Sequence, residues 1–319
     1  MTRTARLKAY AKLNVGLRVL YKRPDGYHEL RTVFQTISLA DDLDVSFTES
    51  GSTSVRIDGT PEIPDNLVEK AARLVLEELS IHADVRFQLK KSIPAGAGLG
   101  GGSSDAAAVL LALPVLAGRT IPQDRLVALG AKLGSDVPFF LYGGTALGLG
   151  RGEELYPLPD LKAAPCLLVA PDVHSSTGLA YADLSRGLTA GLTAGLTTPS
   201  LQNKIDSFQQ EVWTGLRSWV PVVNDFEGVV FARHPELAGI RERLLESGAR
   251  FAGMTGSGSA IFSLYDSHES LRRAQEALPD LRKFSVSFLS RAQYRSRWRR
   301  ALQDHTKGNE WPPRNRYAQ

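Results

Sequence analysis

The segment PAGAGLGGGSSDAAA at residues 94–108 constrains this chain more than any other, because glycine dominates its first half and helix formers dominate its second. The preceding residues DVRFQLKKSIP predict a β-strand. The residues SSDAAAVLLAL predict a helix that begins at a serine cap and ends at Pro114. That helix is apolar on every face, as buried helices are. The chain therefore has to place a strand, a glycine-rich loop and a buried helix in direct succession.

A glycine loop that leads into a helix gathers several backbone N–H groups around one point and adds the positive end of the helix dipole. Such a nest binds phosphate. The alternative is a tight turn that only lets the helix pack closely on a sheet. Ser103 and Ser104 fit either role, since a hydroxyl at a helix start can cap the helix or contact a phosphate or its Mg²⁺.

Two other nucleotide-binding fingerprints do not fit this loop. A Walker A loop needs GxxxxGK[ST], and no lysine follows these glycines. Gly96, Gly98 and Gly101 spell GxGxxG, but Pro94 separates them from the strand. The acid nearest to the position that a dinucleotide ribose requires, Asp124, lies outside a second strand. The sequence thus excludes a P-loop and disfavours a Rossmann turn.

The composition indicates an ordinary soluble globular protein, with 319 residues, 43% hydrophobic and 23% charged, which is enough for two domains. The amino terminus lacks the apolar core of a signal peptide, and no run of about 18 apolar residues occurs, so we expect a cytoplasmic protein. The single cysteine, Cys166, excludes an internal disulfide, a zinc site and a CxxC redox pair, and we expect it to be buried.

The positive charge is concentrated at the end of the chain. The whole sequence carries a net charge of +4, but residues 291–319 hold eight Lys and Arg against Asp304 and Glu310, a net of +6, which leaves −2 for the rest. Four aromatic residues interleave with these arginines, so a protein that binds nucleic acid through this tail is a rival interpretation. We expect instead a solvated helix with a frayed end and no nucleic-acid partner.

Strands and helices intermix without a strict βαβ repeat, which favours an α+β architecture. Residues 7–19 alternate between apolar and polar side chains and predict a half-buried strand. A Pro-Asp-Gly turn within residues 23–30 leads to one or two further strands. Helices are predicted at residues 65–80 and at residues 122–134, where Gly134 is the expected C-cap.

A proline-rich stretch at residues 156–165 predicts the boundary between two domains, an amino-terminal one over residues 1–160 and a carboxyl-terminal one over residues 165–290. The latter is predicted to contain a strand, a helix and a hairpin, and the basic tail, residues 291–319, follows it. The repeat GLTAGLTAGLTTP at residues 187–199 has a glycine in every unit, and each costs a helix about 1 kcal/mol relative to alanine. We therefore expect a mobile loop there.

With these elements in place, the glycine segment resembles the second motif of the GHMP kinases (galactose, homoserine, mevalonate and phosphomevalonate kinases). GMTGSGSAIFSL at residues 253–264 is similar to their third motif. AYAKLNVGLRVLYKRPDGYHEL at residues 9–30 and GSDVPFFLYGGTALGLGRGE at residues 134–153 resemble the branch of that family that acts on CDP-methylerythritol. The four blocks occur in the family's order.

This resemblance implies the two-domain α+β fold of the GHMP kinases. The amino-terminal domain would have the left-handed-crossover, ribosomal-protein-like topology, and the carboxyl-terminal domain would be ferredoxin-like. It also implies an ATP-dependent kinase that phosphorylates the 2-hydroxyl of CDP-methylerythritol in non-mevalonate isoprenoid biosynthesis, with Mg²⁺ as cofactor. Another small-molecule kinase of the family, for mevalonate-pathway intermediates or homoserine, is the nearest alternative.

The resemblance assigns Lys12 and Asp136 as the catalytic pair, a cation and a proton acceptor suited to phosphoryl transfer. Without it, they would be interpreted as a solvated lysine and a turn residue. ATP is expected at a set of loop residues: Pro94, Ala95, Gly96, Ala97, Gly98, Leu99, Gly100, Gly101, Gly102, Ser103 and Ser104. Lys91 matches a position near the ATP base, although a surface lysine is an equal alternative.

For the second substrate, the resemblance assigns Asn14 to placing the acceptor hydroxyl. Tyr27 is expected to stack on the cytosine and His28 to hydrogen-bond it. Tyr181, with Thr177 before it, is expected to form the opposite aromatic wall. Ordinary core packing is the alternative for both tyrosines. The protein ligands of Mg²⁺ stay open.

Overall fold

The computed structural model describes residues 1–60, 65–193, 203, 205–210 and 223–317. Its larger sheet has the strand order β3-β4-β2-β5-β6, and β1 pairs with β2. The strands of this sheet are β1 (Arg3–Lys22), β2 (His28–Glu49), β3 (Ser54–Thr60), β4 (Ala83–Lys90), β5 (Thr145–Leu149) and β6 (Glu154–Pro157). Only β3 and β4 pair in parallel, and the other pairs are antiparallel.

Among the described residues that precede the smaller sheet, four helices accompany this one: α1 (Leu67–Glu78), α2 (Gly101–Ala117), α3 (Gln123–Leu133) and α4 (Val137–Tyr142). Asn66 caps α1 by accepting from the Val68 N–H, and Gly134 ends α3 as predicted. The predicted stop at Pro114 is wrong, since α2 continues to Ala117 and ends at Gly118, whose φ of 82° only glycine adopts readily. The last turn persists because it is buried in the core.

The smaller sheet has the order β10-β7-β9-β8, with every pair antiparallel. Its elements are β7 (Cys166–Val169), α5 (Thr177–Thr193), α6 (Phe226–Arg233), α7 (Pro235–Glu246), β8 (Phe251–Met254), β9 (Ile261–Leu264), α8 (His268–Ala277) and β10 (Lys283–Val286). This antiparallel order with helices in the crossovers is the ferredoxin-like arrangement, and the predicted α+β class is confirmed. Cys166 is buried, and burial raises the pKa of its thiol.

The long first strand departs from the predicted half-buried pattern. Its register shifts against β2 between Tyr10 and Lys12 and again between Asn14 and Gly16. Both faces of the strand are buried in this region, and Lys12 and Asn14 are only 4% and 3% exposed. Ala11 points into a core shared with the smaller sheet. An alternation of apolar and polar residues in the sequence cannot show that both faces of the strand are packed.

The chain after β10 also differs from expectation. Helix α9 (Arg291–Leu302) buries Tyr294, Trp298 and Leu302, which are four residues apart and so lie on one face. The expected solvated helix is therefore wrong, and residues up to 317 fold back onto the larger sheet's core. Arginines separate the apolar residues of this stripe in the sequence, so the sequence did not reveal it.

The glycine repeat is also different from the predicted mobile loop, because α5 extends through Thr193 and includes its first half. The repeat's period of four residues is close to one helical turn, and α5 includes residues up to 193 despite the cost of the glycines. Residues 194–199 lie outside the described residues. Among the helices that are described, none is both long enough and apolar enough to cross a bilayer.

Candidate active site

A cavity of about 350 Å³ lies between the glycine loop, β1, the start of α4 and the turn after β8. Its polar lining is Lys12, Asn14, Thr32, Ser103, Ser135, Asp136, Arg151, Thr177, Tyr181 and Ser257. These residues come from elements of both the larger and the smaller sheet. Five of the predicted site residues, Lys12, Asn14, Asp136, Thr177 and Tyr181, therefore meet at one cavity, as do Gly96, Gly98, Gly100 and Ser103 of the loop.

Lys12 and Asp136 face each other across this cavity. The Lys12 Nζ atom lies 3.4 Å from Asp136 Oδ2 and donates to Asn14 Oδ1 at 2.5 Å. The Lys12 side chain is almost completely buried, whereas 32% of the Asp136 side chain is exposed. Asp136 is the N-cap residue of α4, but its side chain makes no capping hydrogen bond, so its carboxylate is available to the cavity.

Asn14 is held on three sides. Its backbone N–H donates to Thr255 Oγ1 at 2.8 Å, and its side-chain Nδ2 donates to Thr32 Oγ1 at 2.7 Å. The Thr32 hydroxyl in turn donates to Gly16 O. With its amide nitrogen used in this way, Asn14 presents its oxygen to Lys12. Thr32 and Thr255 were not predicted, because an isolated threonine in a strand carries no motif.

The glycine loop has a left-handed backbone at three of its glycines, with φ of 67° at Gly96, 76° at Gly98 and 69° at Gly100. A β-carbon at Gly98 would collide with Thr255 O, because the two glycine turns touch there. Lys12 N–H donates to Leu99 O at 3.1 Å and fastens the loop to β1. Glycine is thus required both by the conformation and by the close approach.

Helix α2 begins earlier than predicted. Gly100 is its N-cap, so neither Ser103 nor Ser104 caps the helix. Ser104 uses its hydroxyl on Tyr10 O at 2.7 Å, whereas Ser103 lines the cavity. The first N–H groups of a helix have no partner within it, so the start of α2 leaves a positive helix end beside Lys12 and Asp136.

A second cavity of about 380 Å³ lies on the other side of the glycine loop, and it is lined by residues 93–103, by Lys91 and Asp105, and by the start of α1. The Lys91 Nζ atom lies 2.5 Å from Asp41 Oδ2 and 2.6 Å from Asp105 Oδ2. Asp41 also accepts from the backbone at Ser92. Lys91 is thus a largely buried residue that anchors the strand before the loop.

Asp41 and Asp105 were missed by sequence reasoning, since neither belongs to a recognisable spacing. Burial, with the nearby Asp41 carboxylate adding to it, raises the pKa of Asp105 to about 7 against the opposing effect of Lys91. The Asp105 Oδ1 atom is buried without a hydrogen-bond partner. Two carboxylates sharing one ammonium make this site sensitive to pH.

The residues predicted to bind cytosine lie in two different environments. The rings of His28 and Tyr181 stack at 4.8 Å with an angle of 20°, and His28 Nε2 lies 2.7 Å from Ser185 Oγ. Burial and then the Lys22 charge lower the pKa of His28, which favours its neutral form. Tyr27 is 56% exposed on the turn before β2, where the Arg151 guanidinium lies 4.7 Å from its ring centre.

Arg151 lines the first cavity and is a further residue that sequence reasoning did not single out. Its Nε atom lies 3.1 Å from Glu153 Oε1, which orients the guanidinium. On the opposite wall, Thr177 Oγ1 lies 2.8 Å from Ser257 Oγ. The turn that carries Ser257 is held by Asn224, whose Nδ2 donates to Met254 O and Gly256 O. The cavity thus combines one carboxylate, two cations and many hydroxyls.

No group of three or more His, Cys, Asp or Glu in the described part of the chain could hold a metal ion by itself. The oxygen donors that line the first cavity include Asp136 and the Ser103 hydroxyl. Mg²⁺ in kinases is usually held by one or two protein oxygens together with phosphates and water. This donor set fits an ion that arrives with its nucleotide.

Comparison with known proteins gives a consistent result. Residues 66–144 match the model of the GHMP kinases N terminal domain, and residues 207–282 match that of the GHMP kinases C terminal domain. The 4-diphosphocytidyl-2-C-methyl-D-erythritol kinase of Solibacter usitatus is 52% identical over 316 residues, which are 99% of this chain and 98% of that protein.

Solved structures give the same picture. A crystal structure of 4-(cytidine 5'-diphospho)-2C-methyl-D-erythritol kinase is 38% identical, with a TM-score of 0.72 over 89% of this chain and 98% of that chain. A homoserine kinase from Cytophaga hutchinsonii shares the fold at 22% identity, with a TM-score of 0.61 over 89% of this chain and 94% of that chain.

Proposed function

This chain belongs to the GHMP kinase family, and from that premise we propose that it transfers a phosphoryl group from ATP to the 2-hydroxyl of 4-diphosphocytidyl-2-C-methyl-D-erythritol. It is an ATP-dependent small-molecule kinase, and the reaction belongs to the synthesis of isoprenoid precursors outside the mevalonate route. The observation that carries the proposal is the pair of Lys12 and Asp136, 3.4 Å apart, in a cavity that opens onto the glycine loop.

The chemistry follows from the charges of this pair. The acceptor oxygen attacks the γ-phosphorus of ATP, the bond to the β,γ-bridging oxygen breaks, and ADP leaves. Asp136 accepts or orients the hydroxyl proton, and the Lys12 ammonium offsets the charge near the transferred group. Asn14 fixes the ammonium and shares its strand face, so it helps to place the acceptor hydroxyl.

The phosphates of ATP would lie in the loop over residues 94–104. The open N–H groups at the start of α2 and the helix dipole both favour the negative charge there. The nucleoside would extend into the second cavity, which shares these loop residues. Lys91 lines that cavity, but its charge is already used by Asp41 and Asp105, so its contribution to ATP binding is to hold the loop's preceding strand.

Mg²⁺ would bind with the ATP phosphates, with the Ser103 hydroxyl and Asp136 as the protein oxygens within reach of that space. The ion would supply positive charge to the β- and γ-phosphates during transfer. The residues of this chain then orient the acceptor and limit access of water to the cavity. Since ATP is the phosphoryl donor, we also propose that the enzyme acts in the cytoplasm.

The cytidine end of the substrate would bind beside Tyr27, His28 and Tyr181. A neutral imidazole has one donor and one acceptor and can therefore pair with cytosine. Tyr181 keeps its hydroxyl protonated because burial raises its pKa. Arg151 adds a positive charge at the same side of the cavity, which suits the diphosphate of the substrate. Thr177 stands at the cavity wall with Tyr181.

A nucleic-acid-binding role for the basic tail has little support. Among the aromatic residues on which that role depended, Tyr294 and Trp298 are buried in the protein's own core. Stacked bases require exposed rings. These two side chains therefore pack inside the protein and are not available to stack on bases.

A steady-state assay that couples ADP release to NADH oxidation tests the proposed reaction. ATP with 4-diphosphocytidyl-2-C-methyl-D-erythritol should give turnover, whereas ATP with mevalonate or homoserine should give only the background rate. Cytidine monophosphate should compete with the acceptor and not with ATP. Turnover with homoserine or mevalonate at a higher kcat/KM would overturn the assignment of substrate.

A further inference from the structure

The carboxyl-terminal segment, residues 291–317, contacts both elements that carry the catalytic pair. On one side it meets α4, the short helix that follows Asp136. On the other side it meets β1 next to Lys12. The notable feature of α4 is its length, six residues, because a helix this short depends on outside partners for most of its backbone carbonyls.

Two of those partners are aromatic side chains of the carboxyl-terminal segment. The Tyr294 hydroxyl donates to Phe140 O. The Trp311 Nε1–H donates to Leu141 O at 3.0 Å. The backbone N–H of Gly143 donates to Phe139 O at 2.9 Å. The last turn of α4 is thus closed by one local bond and by two bonds from a segment that is distant in sequence.

The packing around Tyr294 is close. Tyr294 is 1% exposed, and a β-carbon added to Gly143 would collide with its ring. The ring lies edge-on to Trp311 at 6.2 Å and edge-on to Tyr10 at 5.9 Å. Tyr294 is therefore wedged between the end of α4 and strand β1.

Tyr10 connects this wedge to the catalytic lysine. It precedes Lys12 by two residues on β1, and its hydroxyl accepts from Arg297 Nη1 at 3.2 Å. The Tyr10 carbonyl accepts from Ser104 Oγ in the first turn of α2. The carboxyl-terminal segment consequently reaches the strand of Lys12 at the same place where the strand is tied to the glycine loop.

We infer that Tyr294 and Trp311 are positioning residues that hold α4 at the angle which places the Asp136 carboxylate against Lys12. This role rests on the proposed kinase function. A short helix moves as a rigid unit, so a shift at its carboxyl end is carried to Asp136 at its other end. Phe140 also packs under Gly100, where a β-carbon would lie 2.9 Å from the ring, so the same shift would disturb the loop.

The test uses Tyr294→Phe and Trp311→Phe, each of which removes one donor to α4 and leaves an aromatic ring. Tyr317→Phe is the matched control, since that hydroxyl donates to Asp304 O at 3.2 Å in the same segment without touching α4. We expect kcat to fall roughly tenfold in the first two variants, because small displacements of reacting groups cost rate steeply. The KM for the cytidine-containing acceptor should stay within about twofold, and Tyr317→Phe should match the wild type.

Hydrogen exchange measured by mass spectrometry gives a readout that does not depend on the substrate. Exchange of peptides covering residues 134–143 should rise in Tyr294→Phe and Trp311→Phe but not in Tyr317→Phe. A lower unfolding temperature with an unchanged kcat would reduce both residues to a structural role and overturn the inference. If exchange is unchanged in the variants and the wild type turns over normally, the inference is overturned and the proposed function stands. A wild type without turnover would instead count against that function.

Discussion

The Asn14 side-chain oxygen accepts a hydrogen bond from the Lys12 ammonium at 2.5 Å, although both residues lie on one strand only two positions apart. The strand brings their side chains to the same face. The ammonium is therefore fixed between a neutral amide and the Asp136 carboxylate before any substrate arrives. Such preorganisation lowers the reorganisation that the reaction requires.

Asp136→Asn should lower kcat by at least about a hundredfold, because the amide cannot accept the hydroxyl proton. The Asp136 carboxylate caps no helix, so the free energy of unfolding should change little. The coupled ADP assay measures the first effect and urea unfolding the second. Near-normal turnover in a well-folded variant would remove Asp136 from its role.

Gly98→Ala should raise the KM for ATP and lower the unfolding temperature. The added β-carbon would collide with Thr255 O, and the φ of 76° is unfavourable for alanine. Gly239→Ala is the control, since nothing lies within 4 Å of a β-carbon there and the residue is within helix α7. That control should keep wild-type KM and be equally or more stable. Equal KM values in the two variants would contradict the prediction.

His28→Ala should raise the KM for the cytidine-containing substrate about tenfold, which corresponds to the loss of one hydrogen bond. The KM for ATP should not change, because His28 lies away from the glycine loop. His82→Ala is the matched control, since the side chain of that exposed histidine bonds only Thr53 in the described structure. An unchanged KM for both substrates would show that His28 does not read the base.

Asp105→Asn should make stability less dependent on pH. The pKa of Asp105 is raised from 3.8 to about 7 by burial, so between these values the folded protein holds a proton that the unfolded chain has lost. The free energy of unfolding therefore falls as the pH rises through this range. The free energy of unfolding, measured with urea, should therefore fall less between pH 5 and pH 8 in the variant than in the wild type.

Asp280→Asn is the control for the pH experiment. The hydrogen bond from Arg243 lowers the pKa of Asp280 to about 2, so the stability it contributes is complete above its ordinary pKa and is lost only as the pH falls toward 2. This variant should leave the slope between pH 5 and pH 8 unchanged. If Asp105→Asn also leaves that slope unchanged, Asp105 does not titrate in this range.

Two failures of sequence reasoning share one cause. The alternation in β1 predicted a solvated Lys12, and the arginines of α9 predicted a solvated helix, but burial depends on what packs against an element. Tyr294 and Trp298 form an apolar stripe that becomes informative only once a partner surface is known. The resemblance to the GHMP kinases identified Lys12 and Asp136. It carries over positions that packing brings together in relatives, so the packing itself did not have to be derived.

The sequence by itself determined the features that depend on local backbone chemistry. The left-handed glycines of the loop, the cap at Asn66 and the end of α3 at Gly134 are set by residues that are neighbours in the chain. The tertiary structure alone decided which distant groups meet: Lys12 with Asp136, His28 with Tyr181, Lys91 with its two carboxylates, and Tyr294 with α4. Such contacts depend on how separate elements pack around a shared core, and no local spacing encodes that packing.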